Sequence, residues 1–116
     1  MTEFTAPTSI QDTTANSFAV DVLQNDLPVL LDFWGPQCAH CLALMPVVES
    51  LAERFAGRLA VYKIDSRPNW RVAVNLKVMS LPTFLVFIRG EERARLTGNI
   101  TPEQLEDTIT QILGDL

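Results

Sequence analysis

The run Val29-Leu30-Leu31-Asp32-Phe33-Trp34 constrains the fold of this chain more than any other stretch. It is apolar at every position but one. A strand without polar alternation is expected at the centre of a sheet, buried on both faces, with helices above and below it. Four residues after its end comes Cys38-Ala39-His40-Cys41, and the residues beyond read as a long helix. Two thiols at i and i+3 lie on one face of a helix's first turn. The first of them sits where unpaired N–H groups and the helix dipole stabilise an anion, and the thiolate is the reactive form of cysteine. A strand-to-helix corner bearing two such thiols suits reversible disulfide chemistry.

The remaining elements follow from periodicity and punctuation. Residues 1–13 read as a loose arm with one short strand near Ser9-Ile10-Gln11, and residues 14–116 as a single domain. Thr14 to Gln24 reads as a helix on the spacing of Phe18, Val22 and Leu23, stopped by Pro28. Cys38 to Phe55 is a helix with Leu42, Met45, Val48, Leu51, Ala52 and Phe55 facing inward, kinked at Pro46 and ended by Gly57. Leu59 to Asp65 is a second strand, Asn69 to Leu76 a short helix, and Thr83 to Ile88 a strand. Arg89-Gly90-Glu91 then turns into a partner strand, Arg93 to Thr97. Thr101-Pro102-Glu103 opens the last helix, with an N-cap and a proline at the first helical position. This order predicts an α/β fold: a central mixed β-sheet flanked by helices on both faces.

Composition excludes several functions. The formal charge of −5 disfavours nucleic acid or an anionic membrane as the main partner. No apolar run approaches the ~18 residues that span a bilayer. The first eleven residues carry no basic cluster and no apolar core, so a secretory signal is not expected and the cytoplasm is. The two cysteines lie too close together to form a structural framework.

Several further residues fall into a pattern around the cysteine pair. Asp32-Phe33-Trp34, the C-x-x-C, Pro46, Lys63-Ile64-Asp65, Ser80-Leu81-Pro82-Thr83, Gly90 and Gly98 occur in the order and spacing of a thioredoxin. From Leu30 to Gly98 the chain resembles that family without a gap. The resemblance implies the thioredoxin fold and thiol–disulfide exchange with protein disulfides. It also implies an electron donor such as a thioredoxin reductase, no cofactor or metal, and a monomer. Cys38 would attack and Cys41 resolve. Asp32 would lie beneath Cys41 and carry its proton, with Lys63 as its partner; desolvation should raise its pKa. Pro82 would be cis. Trp34, Gln37, Ala39, Leu81, Pro82, Gly98 and Asn99 would line the substrate groove.

The chain departs from the family where substrates meet the sulfur. Gln37 replaces a tryptophan, and Ala39-His40 replaces Gly-Pro. A histidine between the cysteines resembles disulfide oxidases of the DsbA type and disulfide isomerases. A donor near Cys38 would stabilise its thiolate and make the disulfide more oxidising. An oxidase or isomerase is therefore one alternative, and a binding module with vestigial cysteines is another. A third is a metal or cluster carrier, although Cys38, His40 and Cys41 supply at most three ligands and His40 is the sole histidine.

Overall fold

The computed structural model describes residues 10–116. Its sheet has five strands: β1 (Gln11–Asp12), β2 (Val29–Trp34), β3 (Ala60–Asp65), β4 (Thr83–Ile88) and β5 (Glu91–Thr97), in the order β1-β3-β2-β4-β5. β1, β3 and β2 are mutually parallel, whereas β4 runs antiparallel to both its neighbours, β2 and β5. The predicted mixed sheet is thus present, with β2 at its centre and paired on both sides. Of the expected first strand, Ser9 lies outside the described residues, and the pairing segment falls one residue later, at Gln11–Asp12.

Side-chain alternation along the strands divides the core in two. Leu30, Val61, Phe84 and Val86 pack against α1 (Ala39–Arg54) and α3 (Pro102–Gly114). Val29, Leu31, Phe33, Ile64, Leu85 and Phe87 pack on the other side, against Val22 and against Val72 and Ala73 of α2 (Trp70–Asn75).

Two expectations need correction. The helix predicted for Thr14 to Gln24 is a single π-helical stretch, Ala19–Leu23, closed by the Gln24 N–H on the Ala19 carbonyl. Hydroxyls compete for the backbone ahead of it: Ser17 Oγ accepts from the Thr14 N–H, and Thr13 Oγ1 donates to Asp21. In α1 the inward stripe is Cys41, Leu44, Val48, Leu51 and Ala52, continued by the buried Phe55 just past the helix, while Leu42 is 47% exposed and Met45 half-buried. Cys41 points inward, and helical spacing counted from it selects Leu44 instead of Leu42. The helix runs through Pro46.

At its C-terminal end, α2 is closed by the Val78 N–H on the Ala73 carbonyl, with Lys77 in the left-handed region at φ 59°. Arg95 of β5 reaches across to this end. Its guanidinium donates to the Leu76 and Lys77 carbonyls and to both carboxylate oxygens of Glu92. The capping box at Thr101 and Gln104 starts α3 as expected.

Candidate active site

The sheet delivers β2 to the N-terminus of α1 through Gly35-Pro36-Gln37, and the two cysteines sit at that junction, joined as a disulfide. Cys38 lies just outside the helix. Its extended backbone (φ −92°, ψ 101°) makes it the N-cap, and its Sγ accepts the Cys41 N–H at 3.1 Å. A sulfur therefore fills the place usually taken by a serine or aspartate oxygen. As a thiolate the same acceptor forms a charge-assisted bond, which favours the anion. Cys38 is partly exposed and Cys41 is 1% exposed. An incoming disulfide can thus meet only the first sulfur.

Asp32 lies deeper than the exposed sulfur, in the centre of the sheet. It alternates with Leu30, so it shares the sheet face covered by α1, whose first inward residue is Cys41. It is 1% exposed, and its Oδ1 has no hydrogen-bond partner. Burial pushes its pKa up from 3.8 to about 7; the positive charge of Lys63 works against that rise and does not cancel it. A carboxyl poised near neutrality can take up or release a proton at physiological pH.

Lys63 occupies the strand position opposite Asp32 but forms no ion pair with it among the described residues. Its ammonium lies 3.5 Å from Asp12 Oδ1 on the outer strand and 4.8 Å from the centre of the Trp34 ring. The expected direct pairing gives way because Asp12 is solvated and fully able to hold a charge. A long lysine side chain also reaches water more cheaply than it enters the core.

His40 differs from expectation in this disulfide form too. Its Nε2–H donates to the Ile100 carbonyl at 3.0 Å, so that donor serves the loop before α3 and not the Cys38 sulfur.

The groove residues divide into two groups. A pocket of about 380 Å³ opens beside Cys38, walled by Gln37, by Asp65, Arg67 and Pro68 of the β3–α2 connection, and by Leu81. The Leu81–Pro82 peptide bond is cis. Gly98 (φ 87°) and Asn99 follow the Thr83–Thr97 pair, which sets them beside the Pro82 end of β4. Ala39 is exposed in the first turn of α1, and Trp34 is half-buried at the end of β2 with its Nε1 unpartnered. Asp65, Arg67, Pro68, Asp12 and Ile100 were not anticipated. The first three had a signal: ligands meet open α/β sheets at the carboxyl ends of parallel strands, and Asp65 ends β3.

Among the described residues no three His, Cys, Asp or Glu side chains converge to hold a metal ion, and no helix is long and apolar enough to cross a membrane.

Comparison with known proteins agrees with this geometry. The thioredoxin family profile matches residues 9–111. A thioredoxin of Porphyra purpurea is 35% identical over 105 residues, covering 90% of this chain and 98% of that protein. Thioredoxin C-2 of Corynebacterium nephridii is 36% identical, covering 89% and 95%. The chloroplastic M-type thioredoxin of Spinacia oleracea is 34% identical over 104 residues; the match covers 90% of this chain and 58% of the spinach protein's length.

Proposed function

The chain belongs to the thioredoxin family, and on that premise we propose that it is a protein-disulfide oxidoreductase that reduces target disulfides through Cys38 and Cys41. The observation that carries this reading is the asymmetric pair itself: a partly exposed sulfur at a helix N-terminus, bonded to a buried one. The Cys38 thiolate attacks one sulfur of the target disulfide, and the other target sulfur leaves as a thiolate. The product is a mixed disulfide. Cys41 then loses its proton to Asp32 and attacks Cys38 Sγ. The Cys38–Cys41 bond forms, and the second target sulfur departs reduced. Two electrons have moved to the target.

Thioredoxins act on protein disulfides, generally with a thioredoxin reductase as electron donor, and we assign the same class of partners here. A monomer is the proposed state. The reducing cytoplasm is the proposed compartment, supported by the absence of any cysteine beyond the redox pair. The more oxidising alternative rested on a His40 donor at Cys38, and in the disulfide form that donor is engaged with Ile100.

Insulin reduction driven by dithiothreitol tests the proposal. Precipitation of the insulin B chain should accelerate with the protein present and return to the background rate with Cys38→Ser. A chain that binds insulin without accelerating its reduction would be a binding module instead.

A further inference from the structure

Three ionisable residues share one rung of the sheet. Asp12 of β1 is the register partner of Lys63 of β3, and Lys63 is the register partner of Asp32 of β2. Parallel partners project to the same face, so the lysine stands between two carboxylates. The two differ in environment: Asp12 has a side chain 72% exposed, whereas Asp32 is sealed in and its Oδ1 has no partner. The ammonium has gone to the exposed one, at 3.5 Å. The Thr13 N–H donates to the Lys63 carbonyl at 3.0 Å, which holds Asp12 in this register.

We propose that Asp12 is a positioning residue for Asp32: it draws the Lys63 ammonium toward the sheet edge and so leaves the buried carboxylate without an ionic partner. The groups facing Lys63 are Asp12 from β1 and Asp32 and the Trp34 ring from β2. Those facing Asp32 are Lys63 from β3 and Phe84 from β4; α1, with Cys41 its first inward residue, covers this face, and α3 adds the apolar Leu105 and Ile109 to the same core. Without Asp12 the lysine has one carboxylate left to turn to. Asp32 would then ionise more readily and would be a weaker base for the Cys41 proton. Loss of the Asp12 charge acts in the same direction. The sheet edge thereby sets the proton affinity at the centre. This inference rests on the reading of Asp32 as the proton acceptor.

The test is a carbon-13 NMR titration of the Asp32 carboxyl in the full chain. Asp12→Asn, at an exposed position, should lower the Asp32 midpoint by roughly 0.2–0.7 of a pH unit, the span set by an exposed ion pair. Asp12→Glu should restore it. In a Lys63→Gln background, Asp12→Asn should move the midpoint clearly less than it does with Lys63 present, because only the direct repulsion from the Asp12 charge is then removed. An unmoved midpoint in Asp12→Asn overturns the proposal. So does an equal shift with and without Lys63, which would mean direct repulsion between the carboxylates. The acceptor reading is checked separately. The pH profile of insulin reduction should follow the NMR midpoint from variant to variant; if it does not, Asp32 is not the base, whatever Asp12 does to its titration.

Discussion

Asp32 and Phe33 are neighbours in sequence, equally sealed from solvent, and opposite in what surrounds them. Phe33 points into the face shared with Leu31, Ile64, Leu85 and Phe87, an apolar cluster in which burial of its ring stabilises. Asp32 points to the face under α1, where a carboxyl without a hydrogen bond to its Oδ1 lies in the same plane as Lys63 and Trp34. One strand thus builds a dry half that stores stability and a polar half that gives some of it up. The difference shows that chemistry here is placed by strand parity. A shift of one residue in β2 would exchange the two faces.

The comparison can be broken first at the sulfur. Cys38→Ser should leave both halves of the core intact and abolish insulin reduction, while Cys41→Ser should accumulate mixed disulfides visible on non-reducing gels. Equal trapping by both variants would reverse the attacking and resolving roles. On the dry face, Phe33→Ala should cost ~3–5 kcal/mol of stability in urea unfolding. On the polar face, Asp32→Asn should act with the opposite sign. The carboxyl titrates near 7 when folded and near 3.8 when unfolded. Between those values the folded state holds the extra proton, so stability falls as pH rises through this window. The substitution should therefore stabilise by about 4 kcal/mol at pH 8 and by almost nothing at pH 4, while slowing turnover near neutrality. A gain that does not depend on pH would mean that Asp32 is not the titrating group.

His40 gives the smallest effect. To reach a Cys38 thiolate its Nε2 must leave the Ile100 carbonyl, so one hydrogen bond replaces another. His40→Pro should then move the reduction potential by less than ~30 mV in a glutathione redox titration, the equivalent of one net hydrogen bond. A larger shift toward a more reducing pair would show that the ring turns to the sulfur on reduction.

Much of this was legible in residue order. The unbroken apolar run of β2, the C-x-x-C at its helix corner and the proline before β4 are local signals, and each sits where it was expected. The lone carboxylate at position 32 announced a buried charge by its neighbours alone. The partner of Lys63 was not legible. Asp12 meets it across a parallel pairing of two residues, and nothing local to β1 states its register. The inward face of α1 was misjudged by two positions, because Leu42 and Leu44 are both leucines and only the placement of Cys41 distinguishes them. The bond from His40 to Ile100 spans sixty residues and joins a side chain to a backbone oxygen, a pairing that carries no sequence signature.

Arg95 gathers the end of α2 and the second hairpin strand into one cooperative unit. Its guanidinium bonds the carbonyls of Leu76 and Lys77 just past the helix, and that segment leads to Leu81 in the wall of the pocket beside Cys38. Fraying of β5 at the sheet edge removes that support at once, so this pocket wall and the outer hairpin should open together in the native ensemble. Amide exchange would register this as matched protection at Val78 and Arg95, both lost in Arg95→Ala, while the amides of β2 stay closed.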